Sequence, residues 1–349
     1  MPPIQHDFLA LLGRVSAGEN LSQEEMAAAV DHLMEGAASD EQIAMLLTAL
    51  AHKGETVDEV AGAAESMRRH MTPLRTTRTD LVDTCGTGGG GSTTFNVSTT
   101  AALVAAAAGA NVAKHGNRSV TSRTGSADVL AELGVNIEAT VPQVEACLDQ
   151  LGVCFCYAPL MHPAMRHVGA VRKQLGIRTI FNVLGPLANP AGARRQLLGA
   201  GRPELRPLLA GAIARLGTDH TLVVSGDDGL GDVTITGGTR VSDVRCDASG
   251  KAELKEFSWT PEDFGVDRGG AAGIEVEGPE HSAAVIRKIL KGAPGAARDI
   301  VVLNAAATLI VAGLEKDPRA AGRRASEAID TGATADLLAA LATLSHAPA

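Results

Sequence analysis

Leu81-Val82-Asp83-Thr84-Cys85-Gly86-Thr87-Gly88-Gly89-Gly90-Gly91 is the stretch that decides how this chain folds. A short apolar run enters a glycine turn, and Asn96-Val97-Ser98-Thr99 then opens an alanine-rich helix running from Thr100 to Gly109. Strand, glycine turn and helix start together present backbone N–H groups to an anion. Glycine suits such a turn because a side chain blocks close approach and most other residues resist positive φ. Taken alone, the arrangement fits a flavin, a nucleotide or a sugar phosphate.

Downstream of residue 80, short apolar runs alternate with helical stretches. Strands are expected over 81–84, 111–113, 153–157, 197–200 and 220–225, with helices over 99–109, 127–133, 141–151, 203–216 and 283–290. That alternation predicts an α/β layer with a mainly parallel central sheet. Close-spaced strands expected over 233–235, 239–244 and 252–257 predict an antiparallel edge, and 297–344 reads as helix again. Upstream, residues 1–72 read as helices only. Ser22 and Glu25 have capping-box spacing, and further helix starts lie at 38–41 and 56–59. The expected organisation is a small all-helical domain over 1–72, with helices around 163–184 packing onto it, and a large α/β domain over 73–349.

Composition bounds the function. The chain has 349 residues, 45% hydrophobic and 20% charged, as a globular protein requires. A net charge of −9, one Trp, one Tyr and six Phe argue against a nucleic-acid binder, which needs positive charge and stacking platforms. Yet Lys114, His115, Arg118, Arg123, Arg166, Arg172, Lys173 and Arg178 fall in one middle segment, which favours a small anionic substrate. Five scattered cysteines give no disulfide framework and suit a reduced cytosol. The start shows no basic-then-apolar signal pattern, and no apolar run is long enough to span a bilayer.

Three more constellations carry chemistry. Lys114-His115-Gly116-Asn117-Arg118-Ser119-Val120-Thr121-Ser122 follows a short strand and offers cations, an amide and hydroxyls to an anion and a ribose, with a helix start at Ser126 behind it. His162-Pro163-Ala164-Met165-Arg166 leads to Arg172 and then to Phe181 through Pro190, and a guanidinium suits a carboxylate because it is a forked donor. Asp227-Asp228-Gly229-Leu230-Gly231-Asp232 offers loop carboxylates to Mg2+.

With these motifs in this order, the chain resembles the anthranilate phosphoribosyltransferases over nearly its whole length. The match is carried by Gly86–Gly89, Asn96–Thr99, Lys114–Ser122, His162–Arg166 and Arg178–Pro190. The resemblance implies a nucleoside phosphorylase-like fold and a cytoplasmic homodimer formed through the helical domain. The implied reaction, a step of tryptophan biosynthesis, moves phosphoribosyl from phosphoribosyl pyrophosphate to anthranilate and uses Mg2+. The implied donor-binding residues are Gly86, Gly89, Gly90, Thr94, Asn96, Val97, Ser98, Thr99, Lys114, His115, Gly116, Asn117, Arg118, Ser119, Val120, Thr121, Ser122 and Ser126. Gly86, Asn117, His162, Arg172 and Pro186 are implied to contact anthranilate. No nucleophile or obligatory base is expected, and structural or substrate-orienting roles are expected for His115 and His162.

Two departures stand out. The family usually has Asp where Gly90 stands, and an Asp-Glu pair where Gly231-Asp232 stands. The expected metal ligands are therefore Ser98 and Asp232, with Asp228 or water filling the gap and weaker Mg2+ affinity as the consequence. The rival readings are a pyrimidine nucleoside phosphorylase of the same fold and a non-catalytic, nucleic-acid-binding relative.

Overall fold

The computed structural model describes residues 7–88, 93–119, 123–247 and 249–348. Four helices come first: α1 (Phe8–Ser16), α2 (Gln23–Met34), α3 (Asp40–Lys53) and α4 (Val57–Arg69). Ser22, Ser39 and Thr56 cap α2, α3 and α4 through reciprocal capping boxes with Glu25, Gln42 and Glu59. The α2–α4 packing is close enough that a Cβ on Gly62 would lie 2.1 Å from the Gln23 carbonyl oxygen.

The α/β part runs β1 (Leu81–Gly86), α5 (Val97–Ala107), β2 (Asn111–Gly116), α6 (Ser126–Glu132), α7 (Val141–Leu151) and β3 (Val153–Tyr157). It continues through α8 (Ala158–Met161), α9 (Arg166–Leu175), α10 (Phe181–Leu184), β4 (Arg195–Gly199), α11 (Leu205–Leu216) and β5 (His220–Gly226). It closes with β6 (Thr239–Cys246), β7 (Ala252–Trp259), α12 (Pro279–Leu290), α13 (Ala296–Val311), α14 (Pro318–Asp330) and α15 (Ala333–Ser345). The sheet order is β3-β2-β1-β4-β5-β6-β7. The first five strands are parallel, and β6 and β7 form the antiparallel edge.

Side-chain alternation divides the sheet between two cores. Val82, Leu197, Leu222, Val224 and Val241 join α5 and α13 on one face. Cys85, Leu198, Val223 and Val244 join α9, α10, α11 and the first four helices on the other. The chain winds out from β1 through β2 to β3, then returns to β4 on β1's other side, so a crevice opens at the strands' carboxyl ends.

Two expectations need correction. Residues 233–235 are buried but form no strand. Val233 N–H donates to Asn304 Oδ1 at 2.9 Å, its carbonyl accepts from Asn304 Nδ2 at 2.9 Å, and Thr234 N–H donates to Thr239 Oγ1 at 3.0 Å. Side chains supply the bonds that a neighbouring strand would have made. Lys114 and His115 stand on β2 itself, because β2 runs to Gly116 alongside β3 instead of ending at Ala113.

Candidate active site

The carboxyl ends of β1, β2, β4 and the loop after β5 open into one cavity of about 630 Å³. β1 ends on Gly86, where a Cβ would lie 3.3 Å from the Gly199 carbonyl oxygen. Thr87 ties the turn to β4: its N–H donates to Gly199 O at 2.9 Å, and its Oγ1 accepts from Gly201 N–H at 3.1 Å. Gly88 takes φ +64°, which favours glycine. Gly89 and Gly90 lie outside the described residues.

Thr94, Asn96, Val97, Ser98 and Thr99 line the same wall. Asn96 occupies the N-cap position of α5 without capping it. Its Oδ1 instead accepts from Thr124 Oγ1 at 2.9 Å and Ser282 Oγ at 2.8 Å. The helix therefore starts with no side-chain cap on its N–H groups, at the positive end of its dipole, which is an anion-binding geometry. Thr99 Oγ1 is buried without a partner among the described residues, a donor left for a ligand.

Lys114 reaches this wall from β2. Its ammonium donates to Thr84 O at 2.6 Å and to Ser98 Oγ at 3.5 Å. Burial lowers its pKa, and the Asp83 carboxylate opposes that shift. Gly116, Asn117, Arg118, Ser119 and Ser126 continue the lining. Asp128 folds their loop, accepting from Ser119 N–H at 2.9 Å, Gly125 N–H at 3.0 Å and Arg118 Nη1 at 3.0 Å. Residues 120–122, also expected to bind, lie outside the described residues.

The opposite wall carries Arg172, Arg178, Phe181, Asn182 and Pro186. The half-buried guanidinium of Arg172 stacks 5.3 Å from the centre of the Phe181 ring and has no carboxylate partner among the described residues. Of the sequence's basic cluster, Lys114, His115, Arg118, Arg172 and Arg178 meet at the cavity, whereas Arg123, Arg166 and Lys173 do not line it.

His115 lines the cavity with both nitrogens engaged. Nδ1 lies 2.9 Å from Gly185 O, and Nε2 lies 3.2 Å from His162 Nε2. His162 is buried behind His115 and does not line the cavity, contrary to its expected contact with the acceptor. Burial pushes the two pKa values down to about 4 and about 3 respectively, so both rings are neutral at pH 7.

Asp232 lines the cavity half-buried, and burial pushes its carboxyl up to about 6 against the pull of Lys114. Asp228, the expected substitute ligand, is committed elsewhere. It accepts from the Thr234 hydroxyl, from Thr236 Oγ1 at 2.7 Å and from Leu230 N–H at 3.1 Å, and it does not line the cavity. Gly231 has a packing reason: a Cβ there would lie 3.0 Å from Gly201 N, and its own carbonyl oxygen sits 1.7 Å from where a Gly199 Cβ would be. No group of three or more His, Cys, Asp or Glu side chains among the described residues is arranged to hold a metal. Ser98 and Asp232 nevertheless suit Mg2+ carried by a substrate's phosphates, since that ion commonly takes one or two carboxylates plus phosphate oxygens and waters.

Sequence reasoning missed several wall residues. Glu55, from the loop before α4, faces the cavity with its pKa raised by burial, Arg202 lies just before α11, and Leu208 lies in that helix's first turn. Each enters from an element distant in sequence and carries no local motif. Asp83 and Asn189, below the floor, were also missed, because a single Asp in an apolar run signals nothing by spacing.

The chain matches two family descriptions: a glycosyl transferase family helical bundle domain over residues 9–71, and the same family's a/b domain over residues 78–335. It is similar to anthranilate phosphoribosyltransferases of Anaeromyxobacter sp. (strain Fw109-5), 46% identical over 98% of this chain and 99% of the relative, and of Moorella thermoacetica, 46% identical over 95% and 96%. Among solved structures, the Thermus thermophilus enzyme superposes with a TM-score of 0.89 at 40% identity, covering 97% of this chain and 99% of that one. The Saccharomyces cerevisiae enzyme in complex with PRPP and Mg superposes with a TM-score of 0.86 at 26% identity, covering 97% of both chains.

Proposed function

We propose how this cleft works from one premise: the chain belongs to the anthranilate phosphoribosyltransferases. It transfers the phosphoribosyl group of phosphoribosyl pyrophosphate to the amine of anthranilate. The observation that carries the account is that one cavity joins an uncapped helix start with a buried lysine to a half-buried arginine that has no carboxylate partner among the described residues.

The donor's diphosphate binds at the N-terminus of α5, where backbone N–H groups, Thr99 Oγ1 and the Lys114 ammonium offset its charge. Gly86 lets the backbone come close. Asn117, Arg118 and Ser119 hold the sugar phosphate, with Ser126 at the α6 start. Anthranilate's carboxylate pairs with Arg172, whose guanidinium is held over the Phe181 ring. Pro186 and Asn117 bound the aryl ring. Ser98 and Asp232 would hold Mg2+, which would supply charge neutralisation to the leaving group.

The reaction forms a bond from the amine nitrogen to C1 of the ribose and breaks the bond from C1 to the pyrophosphate oxygen. The proton displaced from nitrogen passes afterwards to water or to the released pyrophosphate. An aryl amine is neutral at pH 7, so its lone pair is already available. The demanding charge develops on pyrophosphate and on the oxocarbenium-like sugar. Lys114 and the α5 N–H groups stabilise the first, being fixed in place before it forms. Orientation of two bound substrates supplies much of the remainder, on the order of 7–11 kcal/mol for well-aligned reactants. His115 shapes the wall with His162 behind it, and His115 takes no proton, because its Nδ1 is engaged with Gly185 and its Nε2 with His162.

We further propose a boundary at residue 72, with the helices around 163–184 moving with the helical domain. We also propose a cytoplasmic location and a homodimer through that domain; the dimer is supported by Leu9 and Met45, which are 60% and 53% exposed on α1 and α3. Among the described residues no helix is long and apolar enough to cross a membrane. The test of function is loss of anthranilate fluorescence on adding phosphoribosyl pyrophosphate, with and without Mg2+. The account predicts donor-dependent, Mg2+-stimulated loss. Phosphorolysis of a pyrimidine nucleoside with no such loss would replace it with the phosphorylase reading.

A further inference from the structure

The sheet is split beneath the cavity. β1 and β2 pair only at Leu81↔Asn111 and Val82↔Val112. Their outer ladders go further: β1 follows β4 to Gly86↔Gly199, and β2 follows β3 to Gly116↔Tyr157. The central seam therefore opens while the strands on either side stay zipped, and backbone groups of both inner strands lose their natural partners. Buried N–H and C=O groups need replacements.

Side chains provide them. Asp83, fully buried on β1, accepts the His115 backbone N–H on Oδ1 at 3.1 Å. Asn189, buried in the loop before β4, donates from Nδ2 to Asp83 Oδ2 at 2.9 Å and to the Ala113 carbonyl at 2.8 Å. Its Oδ1 accepts from Ala191 N–H at 3.0 Å, which fixes the amide's orientation. Lys114 Nζ closes the seam from the cavity side by donating to the Thr84 carbonyl at 2.6 Å. The charged and titratable groups here are Asp83 and Cys85 from β1, Lys114 and His115 from β2, and Asp232 from the loop after β5.

We infer that Asp83 and Asn189 are positioning residues: they stand in for the missing β1–β2 ladder and thereby set where Lys114 and His115 meet the cavity. Neither lines the cavity. The bonds are directional and specific to a carboxylate facing an amide. Asp83→Asn forces an NH2 group either onto the His115 N–H or onto the Asn189 NH2. Asn189→Asp sets two carboxylates face to face and removes the donor to Ala113. The double exchange, Asp83→Asn with Asn189→Asp, restores an amide–carboxylate pair. The amide oxygen then present at position 83 accepts from the His115 N–H again, so the double exchange rescues in part.

This inference rests on the reading that Lys114 holds the donor's diphosphate, and the experiment separates the two. Steady-state constants for both substrates are measured for Lys114→Ala, each single exchange and the double, with thermal melting as a check on folding. Asp83→Asn is expected to lower kcat about 100-fold, the scale of a reacting group misplaced by about 1 Å, and to raise the KM for phosphoribosyl pyrophosphate. The KM for anthranilate stays within about twofold, and the double exchange recovers at least about tenfold of the kcat loss, as expected for directly coupled residues. A loss spread equally over both substrates, a double no better than the worse single, or singles with unaltered kinetics would overturn the inference. Should Asp83→Asn fail to fold, Asn189→Ser, which deletes the amide without adding charge, must show the same donor-specific defect or the inference falls. A harmless Lys114→Ala would instead sink the underlying reading of the site.

Discussion

At the scale of the residue, a few side chains are separable by the substrate they serve. Arg172 has no carboxylate among the described residues and is held against Phe181, so its guanidinium is available to a carboxylate ligand. Arg172→Ala should raise the KM for anthranilate about 100-fold, the worth of a charge-assisted bidentate pair of roughly 3 kcal/mol, and leave the donor KM nearly unchanged. Equal effects on both constants would remove Arg172 from the acceptor site. Lys114→Ala should do the reverse. It should weaken the donor and slow turnover by about 100- to 1000-fold, as loss of a preorganised charge does elsewhere, and calorimetric titration with phosphoribosyl pyrophosphate would show the binding part alone. These residues were legible in sequence because each sits in a long motif. Asp83 and Asn189 were not, since their meaning comes from partners 32 and 106 residues away, and Glu55 faces walls built from later parts of the chain. Asp228 misled for the same reason: an acidic loop looks like a metal site until Thr234 and Thr236 are seen to occupy its oxygens.

At the scale of the element, tight backbone approach explains what residue chemistry cannot. The loop carrying Asp232 packs its Gly231 carbonyl where a side chain at Gly199 would stand. Gly199→Ala must push that loop off the end of β4, because a Cβ 1.7 Å from an oxygen cannot be accommodated. The expected result is a stability loss of about 1–3 kcal/mol in urea unfolding together with weaker Mg2+ stimulation of turnover. Unaltered stability would show that the loop has room to move. The helix start at Ser22 was readable from its capping-box spacing with Glu25, and starts at 38–41 and 56–59 were legible too, although the reciprocal boxes of Ser39 and Thr56 became visible only in the structure. The length of β2 was not. Lys114 and His115 look like loop residues locally, and only pairing with Phe155 and Cys156 on β3 draws them into the strand.

At the scale of the whole molecule, the first four helices share a core with one face of the sheet, so stability is common to both parts. The alternation of strands and helices announced that layer, because each βα unit must bury its apolar face on the next. α9 and α10 bury their apolar residues in that same shared core, between the helical bundle and the sheet. The buried His115–His162 pair makes this shared core sensitive to acid. Their folded pKa values, about 4 and about 3, lie below the unfolded value of 6.5. The unfolded chain therefore gains protons first, and stability falls as pH drops from 6.5 towards 4. Between about pH 7 and pH 5 each histidine should cost on the order of 2 kcal/mol. Urea unfolding of His162→Asn across that range should show a shallower decline than the unaltered protein, and parallel declines would refute the assignment.

The central claim is that the wall formed by the start of α5, Thr99 and Lys114 receives the diphosphate of an activated sugar. A crystal of this protein grown with phosphoribosyl pyrophosphate and Mg2+ tests it most directly. The account predicts the diphosphate at the α5 N-terminus within hydrogen-bonding distance of Lys114, with the ribose C1 facing Arg172. Density for the donor at any other place, with that wall left to solvent, would contradict it.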